Sequence, residues 1–215
     1  MKVLALSDEV VPLIYSPQVR EHFSDVDLIL GCGDVPYYYL EYVVSMLDRP
    51  LYYVHGNHDI GKQYKADGRV AERAEGCTVL DGRLTKHGGL LLGGLGGSVR
   101  YRPDAPNQYS QPEMTVRMWR MALQLWINRL QHGRCLDVLF THSPPFGIHD
   151  QPDPAHVGFR AFLAFMQRFQ PRYLLHGHCH VRYTSEPPRT RFHNTDVLNI
   201  YPYRLLEINL PAVGG

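Results

Sequence analysis

Five short apolar runs in this chain each stop at a side chain able to hold a cation. Val3-Leu4-Ala5-Leu6 leads into Ser7-Asp8, Leu28-Ile29-Leu30 into Gly31-Cys32-Gly33-Asp34, and Leu51-Tyr52-Tyr53-Val54 into His55-Gly56-Asn57-His58-Asp59. Val138-Leu139-Phe140 leads into Thr141-His142, and Tyr173-Leu174-Leu175 into His176-Gly177-His178-Cys179-His180. A strand buried on both faces reads as a continuous apolar run, and α/β sheets bind ligands outside the carboxyl ends of such strands. The polar groups, distant in sequence, are therefore expected to meet on one edge. They are oxygen and nitrogen donors of the kind that hold divalent transition metals. The pattern points to metal-assisted hydrolysis.

The chain has 215 residues, enough for one domain with a full core, and we expect a single domain over 1–215. Its formal charge of +1 gives no global attraction to nucleic acid or to an anionic membrane. The apolar start is broken by Ser7, Asp8 and Glu9, too short for the core of a signal peptide. No apolar stretch approaches the roughly 18 residues of a membrane helix. Cys32, Cys77, Cys135 and Cys179 lack Cys-x-x-Cys spacing, so a reduced, cytoplasmic setting is expected. Cys179, between two histidines, reads as a small buried filler.

The front half alternates strand and helix. A short helix is expected over Pro17–Phe23 and a longer one over Tyr38–Leu47, ended by Pro50. Short strands follow around Thr78–Leu80, Arg83–Lys86 and Leu90–Leu92. Gly93-Gly94-Leu95-Gly96-Gly97-Ser98 lacks the Lys-Ser/Thr of a phosphate loop and reads as close backbone packing. Arg100–Tyr109 is a polar loop, a lid or specificity element if it lies beside the site. Ser110-Gln111-Pro112-Glu113 is a capping box opening a helix to Gln131, whose apolar face is expected to be Trp119, Ala122, Leu123, Trp126 and Leu130. A further helix is expected over His156–Phe169, and antiparallel strands over Thr190–Leu210. Together these give an α/β fold, with two sheets packed together and helices outside.

The ordered residues Asp8, Gly33-Asp34, Gly56-Asn57-His58-Asp59, Thr141-His142 and Gly177-His178-Cys179-His180 resemble the calcineurin-like metallophosphoesterase superfamily. His142-Ser143-Pro144-Pro145-Phe146-Gly147 is similar to its small bacterial and MPPED-type phosphodiesterase branch. The resemblance implies a four-layer α/β/β/α sandwich of two mixed sheets flanked by helices. It also implies a small phosphodiester or phosphomonoester substrate, attacked by a metal-activated hydroxide. Asp34 would bridge two divalent ions, manganese first, with iron or zinc as the other ions of such sites. Asn57, His142 and His178 would complete one site, and Asp8 and His180 the other. Two metals about 3.5–4 Å apart can clamp a phosphate. His58 would donate to the phosphate or leaving group, and Asp59 would hold its imidazole. His178 and His180, two apart, would share a side of an extended chain.

One position departs from the superfamily. Its first motif is Asp-x-His, but here it reads Asp8-Glu9-Val10. The lost imidazole weakens one of the two metal sites and favours harder ions such as manganese. A non-catalytic scaffold is the competing reading, because some members keep the fold without turnover. No basic groove speaks for a nucleic-acid polymer, and no membrane partner is expected. His149 and Asp150 follow the Pro-Pro-Phe-Gly turn, where cleft lining is the alternative to a structural or surface place. His55, His149, His156 and His193 read as structural or surface histidines, and His176 as packing. Of Tyr37, Tyr38 and Tyr39, at least two belong in a core.

Overall fold

In a computed structural model, residues 1–59, 62–64, 68, 70–180 and 188–209 are described. The elements run β1 (Lys2–Leu6), α1 (Val19–Phe23), β2 (Leu28–Cys32), α2 (Tyr37–Leu47), β3 (Leu51–Val54), β4 (Gln63–Tyr64), β5 (Val70–Ala71), β6 (Thr78–Val79), β7 (Arg83–His87) and β8 (Leu90–Leu95). They continue through β9 (Ser98–Val99), β10 (Gln108–Tyr109), α3 (Gln111–Arg120), α4 (Ala122–His132), β11 (Val138–Thr141), α5 (Arg160–Phe169), β12 (Tyr173–His176), β13 (Arg189–Phe192), β14 (Thr195–Asn199) and β15 (Tyr203–Glu207).

Two mixed sheets result. The first has the order β15-β1-β2-β3-β6 and the second β13-β14-β12-β11-β8-β7. Within the first, β1, β2, β3 and β6 run parallel, in the register Leu4↔Ile29 and Leu30↔Tyr52. Within the second, β8, β11, β12 and β14 run parallel, with Phe140 opposite both Gly94 and Leu175. The antiparallel strands β15, β7 and β13 form three of the four edges, and parallel β6 forms the fourth.

Side-chain alternation sorts the strands into three apolar layers. Val3, Ala5, Leu28, Leu30, Leu92, Phe140 and Leu175 fill the space between the sheets. Leu4, Leu6 and Ile29 face outward against Val19, Phe23, Leu40 and Val43 of α1 and α2. Leu139 and Leu174 face outward against Met118 and Leu125 of α3 and α4, and against Phe162 and Phe165 of α5. This double burial is why the central strands lack polar alternation. The four-layer expectation holds. No described helix is long and apolar enough to cross a membrane.

Several local expectations hold too. Ser110 and Glu113 cap α3 reciprocally. Tyr37 and Tyr39 are buried, whereas Tyr38 is exposed. Gly93 and Gly94 lie within β8, and a Cβ at Gly94 would come within 2.6 Å of Leu80 O and Val54 Cγ1. That is close packing between sheets, not a phosphate cradle.

Two expectations need correcting. The helix after Ser110 is two helices joined at Met121, and its buried face is Met114, Met118, Met121 and Leu125. The expected stripe turns outward, with Leu123 73% and Leu130 86% exposed. The segment carries two apolar stripes, and periodicity alone does not say which one meets the sheet. Trp119 and Trp126 rest edge-on against Phe169 at 6.1 and 6.2 Å instead of entering the core. The helix expected from His156 begins at Arg160. Asp153 Oδ1 accepts from the Ala155 and His156 backbone amides and folds that stretch into a turn. In the tail the expected antiparallel strands form: β13 pairs β14, and β15 crosses to pair β1. Leu210, the expected end of the tail, lies outside the described residues.

Candidate metal centre

The carboxyl ends of β1, β2 and β3 from one sheet, and of β11 and β12 from the other, open on a common rim. The chain turns sharply there. Asp8, Asp34 and His178 all adopt left-handed backbone, with φ of 64°, 53° and 65°. Side chains with a Cβ rarely adopt this region, and each such residue costs about 1–3 kcal/mol unless its surroundings hold it. Strain at three of the six expected metal-binding residues is the pattern of a built site. His178 is consequently not in an extended chain, yet His178 and His180 both line the same cavity.

The ligating atoms of Asp34, His142 and His178 lie within 4.8 Å of one another. Asn57 joins them, its Oδ1 2.9 Å from His142 Nε2. His142 Nε2 is also 3.3 Å from Asp34 Oδ2. Each histidine spends one ring nitrogen on a backbone carbonyl: His142 Nδ1 on Cys32 O at 3.0 Å, and His178 Nε2 on Ala155 O at 2.7 Å. Such contacts fix the ring and leave the other nitrogen free to bind a metal. Asp8 and His180 form a second group, with His180 Nε2 3.5 Å from Asp8 Oδ1. Asp8 Oδ2 accepts from Ser7 Oγ and from the His178 backbone amide at 3.0 Å. The His180 ring stacks on Tyr201 at 4.3 Å, and the Tyr201 hydroxyl donates to Glu9 Oε2 at 2.5 Å.

The electrostatics draw positive charge to this spot. Burial pulls the His142 imidazole down, but Asp34 and Asp8 outweigh it and push it up to about 9. Burial raises Asp34, yet His142 and the His58 backbone amide bring it down to about 2. Asp8 is likewise pushed up by burial and drawn down further by His180, His142 and Ser7, ending below its ordinary value. His178 is lowered to about 4 by burial and by neighbouring His142. Two buried carboxylates facing imidazole nitrogens and an amide oxygen form a donor set suited to a divalent cation.

Glycine makes the closeness achievable. A Cβ on Gly56 would stand 2.0 Å from Asp34 Oδ1, and one on Gly177 would stand 1.7 Å from Ser7 Oγ and 2.3 Å from Asp8 Oδ2.

Above the centre lies a cavity of about 410 Å³, lined by Asp8, Asp34, Asn57, His58, His178 and His180, together with Tyr101, Arg102, Ala155 and His156. His58 is exposed on this wall, and its backbone amide donates to Asp34 Oδ1 at 2.7 Å. Asp59, expected to hold the His58 imidazole, turns the other way. Its Oδ2 accepts from the Gly56 and Asp34 amides at 2.7 and 3.0 Å, pinning the two turns together. Burial and the neighbouring charge of Asp34 raise its carboxyl to about 7. Val10 packs against the α1–α2 layer. His149 does not line the cavity: it bonds His176 at 2.9 Å and Thr190 at 2.8 Å. His176 is buried packing, as expected. Tyr101, Arg102 and His156 were not foreseen as wall residues. The irregular composition of the Arg100–Tyr109 loop was the one signal for the first two, and no motif marks His156.

A family model described as calcineurin-like phosphoesterase matches residues 1–182. No curated protein matches the chain. The crystal structure of TT1561 of Thermus thermophilus aligns with a TM-score of 0.63 and 14% identity, over 93% of this chain and 88% of that one. Another crystal structure, with no protein named, aligns with a TM-score of 0.62 and 16% identity, over 95% of this chain and 94% of that one. At such identity these likenesses speak for the fold alone. The family match spans most of the chain and takes in Asp8, Asp34, Asn57, His142, His178 and His180: this protein belongs to the calcineurin-like phosphoesterases.

Proposed function

We propose that this protein is a metal-dependent phosphoesterase acting on small phosphate esters, diesters ahead of monoesters. The observation that carries the reading is the meeting of Asp34, His142 and His178 within 4.8 Å, from three strand ends. Asp34, Asn57, His142 and His178 would hold one divalent ion, manganese by preference, and Asp8, Asp34 and His180 a second. Ions held there supply positive charge to a phosphate and acidify an attacking water. Asp34 would be shared by the two ions. Asn57 presents its Oδ1 toward the centre because its Nδ2 donates to the Tyr101 hydroxyl at 3.2 Å. His58, on the cavity wall, donates a proton to the departing oxygen. The pinned carboxylate of Asp59 serves by holding the Gly56 and Asp34 turns in place.

With valine at position 10, the Asp8–His180 site has fewer donors, so one ion binds tightly and the other loosely. That shortage is also the feature favouring a non-catalytic scaffold as the second reading. Hydrolysis of bis(p-nitrophenyl) phosphate by the chain with added manganese separates the two. Turnover that chelator abolishes and manganese restores is expected; no turnover with any divalent metal supports the scaffold.

A further inference from the structure

The cavity wall carries a cation that metal binding does not use. Arg102 lines the cavity: among the described residues it makes no ion pair, and its guanidinium meets the Tyr101 ring at 5.4 Å. His156, the other basic group new to this wall, is already engaged by Asp153 at 2.9 Å.

The segment bearing Arg102 is held as part of the centre. The buried Gln108 accepts from the Tyr101 and Arg102 amides through Oε1, at 3.1 Å each. Asn107 Nδ2 donates to Asp59 O at 2.7 Å, and the Tyr101 hydroxyl accepts from Asn57. The loop is thereby tied to the Asn57–Asp59 turn from both of its ends, which fixes the root of Arg102 relative to the metal-binding atoms.

A guanidinium on a cavity wall, with no ion pair among the described residues, is a recognition group for carboxylate or phosphate. The charge of the reacting phosphate is met at the metal centre. We infer that Arg102 forms a second anion subsite, so that the preferred substrate carries a further carboxylate or phosphate on the far side of the scissile ester. This rests on the phosphoesterase reading above and narrows its substrate class.

Isothermal titration of the manganese-loaded chain tests it without turnover. Propylphosphonate offers one anionic end. 3-Phosphonopropionate adds a carboxylate at the same length, and propane-1,3-diphosphonate adds a phosphonate. The wild-type chain is expected to prefer one or both doubly anionic ligands over propylphosphonate by about tenfold, as a charged hydrogen-bonded contact provides. The ligand with the larger preference tells carboxylate from phosphate. Arg102→Gln is expected to bring that ratio close to one while binding propylphosphonate as before, and Arg102→Lys to keep part of it. Arg102 is exposed, so circular dichroism of the variant is expected to match wild type. An unchanged ratio in Arg102→Gln, or equal weakening of all ligands, overturns the second subsite and leaves the phosphoesterase reading standing. Failure of the wild type to bind any of the phosphonates overturns both.

Discussion

Gly56→Ala adds one methyl group at the most crowded point of the centre. Gly56 has no positive φ, so alanine suits its backbone, and the whole effect is collision. The new Cβ would lie 2.0 Å from Asp34 Oδ1 and 2.5 Å from the Asp34 backbone nitrogen, where real contacts stay above 3.0 Å. The carboxylate must retreat by about 1 Å, several times the ~0.2 Å tolerance of a metal–ligand distance. The backbone cannot yield alone, because the Asp34 amide is tied to Asp59 Oδ2 at 3.0 Å. Retreat also forfeits the bond from the His58 amide to Asp34 Oδ1 at 2.7 Å. Overpacking and the lost charged hydrogen bond together cost about 3–5 kcal/mol. For a chain of this length that lowers Tm by roughly 6–20 °C.

Two assays read the result: thermal unfolding by circular dichroism with chelator present, and manganese retained after desalting, by elemental analysis. Gly133→Ala is the control. Gly133 has φ of 71° with nothing within 4 Å of an added Cβ, so it incurs only the left-handed cost of about 1–2 kcal/mol. It is expected to lose a few degrees and keep its metal. Wild-type Tm and manganese content in Gly56→Ala would refute the reasoning.

His58→Ala is expected to lower kcat by about 10²–10⁴-fold with retained manganese unchanged; loss of metal in this variant shows that its role is misassigned. Val10→His is expected to raise manganese retained after desalting, and also to lower Tm, since an imidazole replaces valine against the α1–α2 layer; unchanged metal content contradicts the weak-site account. Leu130→Lys is expected to change stability by no more than about 0.5 kcal/mol, whereas Leu125→Ala costs about 2–5 kcal/mol, both by denaturant titration; the reverse order refutes the outward stripe. His149, lowered to about 4 by burial and then by Arg204, is held neutral in the fold. Its contribution is whole above the unfolded value near 6.5 and is lost as pH falls from there through 4. Tm measured from pH 7 to 4 is therefore expected to fall more steeply in wild type than in His149→Asn; equal slopes contradict this.

The sheets were legible in the sequence because double burial writes them as unbroken apolar runs, and the centre was legible because its residues stand immediately after those runs. The helices were less so. Between Gln111 and His132 two apolar stripes compete, and only the shape of the sheet beneath decides that Met118 and Leu125 go inward while Leu123 and Leu130 stay out. Asp59 departs from its expected place for a different reason. Adjacency to His58 suggests a partner, but the backbone amides of Gly56, in the same turn, and of Asp34, from the neighbouring strand end, occupy its carboxylate. Tyr101 and Arg102 reach the cavity through a loop whose path is set by Gln108 and Asn107, a tertiary fact with no periodic signature.

The most direct measurement is anomalous diffraction from a crystal grown with manganese. A full-occupancy ion in contact with Asp34, Asn57, His142 and His178, accompanied by a partly occupied one beside Asp8 and His180, is the predicted result. Ordered manganese that leaves the Asp34 carboxylate uncoordinated would contradict the account at its root.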